Sequence, residues 1–321
     1  MRSWMPHPGS EPTDREHLGD DSLTLSLDAL IALRHTTAEA APPTEGRGPW
    51  TGPFRAATRG QGLEVDDLRP YLPGDDPRHI DWKTSARLGE PHTRLYREER
   101  DHALCIVLDL RDTMFTGFTR LRATEAALLA VRCLWRATAQ GSRVSLVVFD
   151  ADGVHRSRPA RGARGALPAC ALVHARHAQR LMMLGGASGT DPTSPPDLST
   201  LVDRLLGEGR RLGSVQLVSG LDDALIDPAT HAALGRELAR LALAGPLRVT
   251  LIEDELERAP LPAGTYRYRG TGGTVRLRMN RSQGTTVSRA LRARRAALET
   301  LCRRTGASFD ELRSVTMAGN R

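Results

Sequence analysis

At 321 residues, with 40% hydrophobic and 26% charged side chains, the chain has the length and balance of a globular protein of one or two domains, not of a disordered or fibrous one. The net charge of +7 favours acidic partners in general. The basic residues are scattered, though, and nearly all are arginine, with Lys83 the one lysine, so they read as general basicity and not as a dedicated nucleic-acid site. No stretch approaches the roughly 20 apolar residues of a membrane helix, and the N-terminus lacks a signal-peptide apolar region. Cys105, Cys133, Cys170 and Cys302 lie far apart with no C-x-x-C pair, as expected of reduced thiols in a cytoplasmic protein.

In chain order, residues 1–22 read as a disordered leader, and 23–53 as a short helix followed by a Pro/Gly-rich linker. Leu27, Leu30, Ile31 and Leu33 can share one face of that helix. Residues 54–102 form an N-terminal cap in which Pro73-Gly74 marks a turn and Asp76-Pro77 a helix start. Its arginines Arg69, Arg78 and Arg87 are expected to lock onto Asp75, Asp76 and Asp81 over an apolar underside of Tyr71, Ile80 and Trp82. From residue 92 onward strands and helices alternate. The strands are expected at 91–99, 103–110, 142–150, 214–220 and 247–254, and the helices at 120–139, 165–183, 198–209, 229–244 and 285–305. Two β segments flank Gly270–Gly273, and GTGGT (270–274) reads as their hairpin turn. Residues 185–197 form a loop, and 311–321 a C-terminal tail. Such alternation predicts an α/β fold, a mostly parallel sheet covered by helices on both faces.

The stretch GQGLEVDDLRPYLPGDDPRHIDWKTSAR carries Gly60, Gly62, Glu64, Leu68, Arg69, Tyr71, Gly74, Asp75, Asp76, Arg78, Ile80, Asp81, Trp82, Ala86 and Arg87 at fixed spacing. It resembles the signature of the family called domain of unknown function 58. The likeness continues through Glu99-Arg100 and the strand ending at Asp109. This resemblance implies a von Willebrand factor A-like, Rossmann-like domain over 103–310 with a β-rich N-terminal extension. It also implies a MoxR-type AAA+ ATPase as protein partner.

Domains of that kind hold Mg²⁺ at the carboxyl ends of their strands through D-x-S-x-S, a Thr and an Asp, a degenerate version of which this chain carries. Asp109 and Thr113 are retained, but Arg111 stands at the first Ser position, beside Asp112. Ser219 is followed by Gly220 where the resemblance implies Asp, with Asp222 and Asp223 close behind. Thr190 is the candidate for the second-loop Thr. A guanidinium about 4 Å from a cation costs ~4 kcal/mol per unit charge at an effective dielectric of about 20, or roughly a thousandfold in affinity. Arg111 is therefore expected to pair with Asp109 and fill the site. That leaves a metal-independent domain without cofactor, even though Asp109, Thr113 and Thr190 mark where Mg²⁺ would otherwise bind. In that position Arg111 could also meet a partner's carboxylate.

Three functions remain. The leading one is a non-enzymatic, protein-binding adaptor acting with the ATPase in assembly or maturation of a partner complex. The second is a metal- or nucleotide-dependent hydrolase built on Asp109, Asp112 and Asp222, although neither a Walker A sequence nor H-E-x-x-H is present. The third is nucleic-acid binding through Arg289, Arg292, Arg294, Arg295, Arg303 and Arg304 of the last helix, for which a solvated helix face is the competing reading. No transmembrane segment is expected, though a partner could be membrane-bound.

Overall fold

The computed structural model describes residues 24–39, 59–72, 75–97, 103–117, 120–185, 197–207, 213–222, 228–254, 257, 263–270 and 273–312. The expected leader, the linker, Pro73-Gly74, Thr190 and Asp223 lie outside them. The chain divides into two compact units, one of residues 42–101 and one made of everything on either side.

In the larger unit the continuous apolar run Ala103–Asp109 forms strand β3, the middle of a seven-stranded sheet. Helix α3 (Arg122–Ala139) leads to β4 (Arg143–Asp150). Two short antiparallel strands on β4 follow, β5 (Gly153–Arg156) and β6 (Ala160–Arg161). Helices α4 (Ala163–Gly185) and α5 (Leu198–Leu206) then precede β7 (Ser214–Ser219). Helix α6 (Pro228–Ala244) joins β7 to β8 (Leu247–Ile252). A separate two-stranded ribbon, β9 (Gly264–Gly270) with β10 (Gly273–Met279), precedes α7 (Arg281–Thr305) and the parallel edge strand β11 (Ser308–Leu312).

The sheet order is β11-β8-β7-β3-β4-β5, parallel throughout except at β5 and β6. The chain thus leaves β3 toward one edge and returns to β7 to build the other. In doubly wound sheets such a reversal opens a crevice at the carboxyl ends of the two middle strands. Here those ends are Asp109 and Ser219.

Side chains alternate across β3 and β4, so each face has its own core. Ile106, Leu108, Leu146 and Val148 pack against α3 and α4, and Val107, Val147 and Phe149 against α5, α6 and α7. Few aromatics take part. Instead Ala126, Ala127 and Ala130 bring α3 close to the sheet, and all three are fully buried.

Helix α1 (Leu27–Glu39) belongs to this unit despite preceding the smaller one in sequence. Leu30 is completely buried in the first core, which stabilises it by about 1.5–3 kcal/mol. Trp135 Nε1 donates to Leu30 O at 3.0 Å, and His174 Nδ1 bonds Leu25 O at 2.8 Å.

In the smaller unit β1 (Arg59–Pro70) pairs antiparallel with β2 (His92–Arg97). Between them lie a 3-10 turn (Pro77–His79) and the short helix α2 (Trp82–Leu88). The acidic cluster works chiefly as caps. Asp76 accepts from Arg78 N and Asp81 from Thr84 N, both at 2.9 Å, as N-caps should. Asp75 accepts from Leu72 N at 3.0 Å and from Arg69 Nη2 at 2.6 Å. Only the Arg69 member of the expected charge lock forms: Arg78 and Arg87 are exposed, with no ion pair among the described residues. Trp82 corrects a second expectation. It is 69% exposed, because capping by Asp81 starts α2 with the indole on its outer side.

Candidate functional site

The reversal point between β3 and β7 brings Asp109, Arg111 and Ser219 together. Asp109 ends β3 and is 2% exposed; Arg111, two residues on, is 5% exposed. Asp109 Oδ1 accepts from the backbone N and from Nε of Arg111, both at 3.0 Å. Its Oδ2 accepts from Arg111 Nη2 at 2.8 Å and from Ser219 Oγ at 2.6 Å. A carboxylate offers about four lone-pair positions, so this one is full. The guanidinium also lies 4.7 Å over the ring of Phe149, a favourable cation–π contact. Phe149 is there because β4 pairs in parallel register with β3, setting it opposite Asp109.

Behind this pair sits a second one. Arg122, the first residue of α3, donates Nη1 to Asp222 Oδ1 at 3.0 Å and Nη2 to Asp222 Oδ2 at 3.1 Å. The same guanidinium donates to Thr113 O, to Thr116 Oγ1 at 3.2 Å and to Glu257 Oε1 at 3.5 Å. Burial alone disfavours its charge, but Asp222 and Glu257 outweigh burial and hold its pKa above the ordinary value. Burial raises the Glu257 carboxyl against the pull of Arg122. Arg294 of α7 adds bonds to Gly220 O and, at 3.4 Å, to Asp222 Oδ1.

The backbone between Ser219 and Asp222 is bent to suit. Leu221 has a φ of 49°, the one left-handed non-glycine described, and its N donates to Ser219 Oγ at 2.9 Å. At Gly220 a Cβ would lie 3.0 Å from both Arg122 Nη1 and Met114 Sδ, and 2.9 Å from Asp222 Oδ2. An aspartate at this position would therefore displace Arg122. The Arg122 guanidinium thus lies beside the position where the resemblance implies Asp.

Two further parallel strands repeat the theme. At the end of β4, Asp150 takes Arg176 Nε at 2.7 Å; just past β8, Glu253 takes Arg295. Asp112 takes Arg180 Nε at 2.6 Å. Every carboxylate named at this edge is tied to an arginine of a helix or loop.

The donor set suits neither of the chemistries it was weighed for. Asp109, Asp112 and Asp222 each have their own arginine, and no cluster of three or more His, Cys, Asp or Glu among the described residues could hold a metal ion. Thr113 is exposed and contributes its carbonyl to Arg122 and to Thr116 Oγ1. Magnesium would need oxygens that these guanidinium groups already occupy. Arg111 likewise turns inward, so a partner's carboxylate could reach it only by displacing Asp109. The six arginines singled out on α7 do not form one surface either. Arg294 is buried, Arg295 pairs with Glu253 and Glu311, and Arg303 pairs with Glu299 at 3.3 Å. Sequence reasoning missed Arg122, Arg176, Arg180, Arg294 and Arg295 as parts of this edge, since each meets its acid only through the tertiary fold.

The sequence model of the family described as "Protein of unknown function DUF58" matches residues 67–297, well over half of the chain. Uncharacterized proteins of Mycobacterium bovis and of two strains of Mycobacterium tuberculosis are 24% identical over 197 residues, covering 60% of this chain. The chain spans 57% of the length of these relatives. No solved structure matches it.

Proposed function

The chain belongs to the DUF58 family, and we propose that it is a non-enzymatic adaptor that binds proteins without a metal ion. In this reading it acts in the cytoplasm with a MoxR-type AAA+ ATPase in assembly or maturation of a partner complex. One observation carries it: the carboxylate at the reversal point has all its acceptor positions taken by Arg111 and Ser219. A hydrolase needs a free base, nucleophile or metal ligand in the crevice, and this carboxylate can be none of these until Arg111 leaves. What remains useful is a rigid, internally paired edge on a parallel sheet, a platform suited to presenting loops. No helix among the described residues is long and apolar enough to cross a membrane.

The test is direct binding of the purified full chain to a MoxR-type ATPase from the same genome, by calorimetry with ATP and in the presence or absence of EDTA. Micromolar or tighter binding that EDTA leaves unchanged is expected. Binding abolished by EDTA, or an ATP- or metal-dependent hydrolysis by the chain alone, would overturn the reading.

A further inference from the structure

The positive charge of the chain is not spread evenly, contrary to the impression its arginines first give. Residues 264–298 contain nine arginines and no Asp or Glu, more than the +7 net charge of the whole chain. Arg294 and Arg295 serve the carboxyl edge. The other seven lie on the β9–β10 ribbon and the first half of α7.

The ribbon register sets Arg276 opposite Arg267, Arg278 opposite Thr265, and Thr274 opposite Arg269. With a side-chain period of two, Arg276 and Arg278 share one face of the ribbon and Leu277 takes the other. A two-stranded ribbon is marginal on its own. Among the described residues the ribbon is a sheet of two strands only. Directly after the ribbon, Arg281, Arg289 and Arg292 return to one side of α7 at intervals of eight and three residues. Arg276, Arg278, Arg281, Arg289 and Arg292 are all exposed, and none has a carboxylate partner among the described residues.

We propose that the β9–β10 ribbon, with the arginine side of α7, is a docking surface for an acidic, extended segment of a partner protein that adds to an open ribbon edge. A third strand with Asp or Glu at every second position would place its carboxylates beside Arg276 and Arg278. Its alternate apolar residues would cover Leu277, which is 51% exposed. That apolar component favours a protein segment over a nucleic acid, whose phosphate contacts are polar. The proposal rests on the adaptor reading and gives it a contact surface.

The probe is a fluorescein-labelled octapeptide of alternating Glu and Val, titrated with the full chain by anisotropy. A block peptide of the same composition, a single-stranded oligonucleotide and phosphatidylserine vesicles are compared at equal ionic strength. The alternating peptide is expected to bind best and to lose at least tenfold in affinity in Arg276→Glu/Arg278→Glu, while Arg303→Glu changes it less than twofold. Far-UV circular dichroism melts establish that the variants fold; Arg281→Glu/Arg289→Glu serves as a second variant. Preference for the oligonucleotide or the vesicle, equal binding of the block peptide, indifference to the charge reversals, or no binding would each overturn the proposal. Repeating the ATPase titration with the double variant separates the two ideas. Loss of ATPase binding supports this surface, full retention overturns it while the adaptor reading stands, and a wild type that never binds the ATPase removes that reading.

Discussion

Arg122 and Asp222, 100 residues apart in sequence, meet in a two-point ion pair of 3.0 and 3.1 Å that ties the start of α3 to the loop after β7. Both flank Gly220, so the pair lies across the reversal point of the sheet. Removing one partner of a buried pair strands the other, at a cost of about 3–5 kcal/mol. Arg122→Ala should therefore lower the urea midpoint strongly, whereas Asp222→Asn, which keeps the shape and leaves Glu257 to face Arg122, should cost less. An Arg122→Ala midpoint within error of the wild type would mean that the pair does not hold this edge.

Removing Arg111 should not create a magnesium site. Arg111→Ser frees Asp109, but Gly220 still provides no carboxylate, and the Arg122 guanidinium remains beside it. Calorimetric titration of this variant with Mg²⁺ and Mn²⁺ should show no micromolar binding, and the wild type should melt at the same temperature with and without EDTA. Tight Mg²⁺ binding by Arg111→Ser would show that the remaining oxygens suffice.

His177 predicts an acid sensitivity. It lies in the first core with its ring 5.3 Å from that of Phe115, and its Nε2 is 3.2 Å from Thr124 Oγ1. Burial, with a smaller contribution from His174, lowers its pKa from 6.5 to about 4. The unfolded chain then binds the extra proton first, so stability falls as pH drops from about 6.5 toward 4, by ~2 kcal/mol between pH 7 and pH 5. His177→Gln should flatten this part of the pH profile in urea melts. An unchanged slope would assign the acid sensitivity to other groups.

Trp82→Ala should be mild. A ring this exposed contributes little to folding, and surface substitutions usually stay within about 0.5 kcal/mol. Urea melts followed by circular dichroism provide the measurement, and a loss of several kcal/mol would show that the ring is covered in solution.

The parallel sheet was legible because its middle strands, such as ALCIVLDL, are uninterrupted apolar runs followed by amphipathic helices. β5, β6 and β11 were not: they have two to five residues, and SFDEL carries as many acids as apolar side chains. Edge strands owe their pairing to a neighbour and leave little pattern of their own. At the candidate site, the pairing of Asp109 with Arg111 could be read from their spacing of two. Arg122, Arg180 and Arg294 could not, since each meets its acid through the tertiary fold. The charged cap misled for a related reason. Asp76 and Asp81 precede helical turns, and a short-range bond to a backbone N–H competes well with a flexible arginine.

The placement of α1 has a topological result. Because this helix is stitched into the larger unit through Leu30 and Trp135, residues 42–101 are an insertion, entered and left from the same body. A protease cut between α1 and β1 would divide the backbone without dividing the core. The helix would stay seated by noncovalent contacts, and the smaller unit would stay attached through its other end. For the same reason α1 could be supplied as a separate fragment, so the two pieces would reconstitute the fold by complementation.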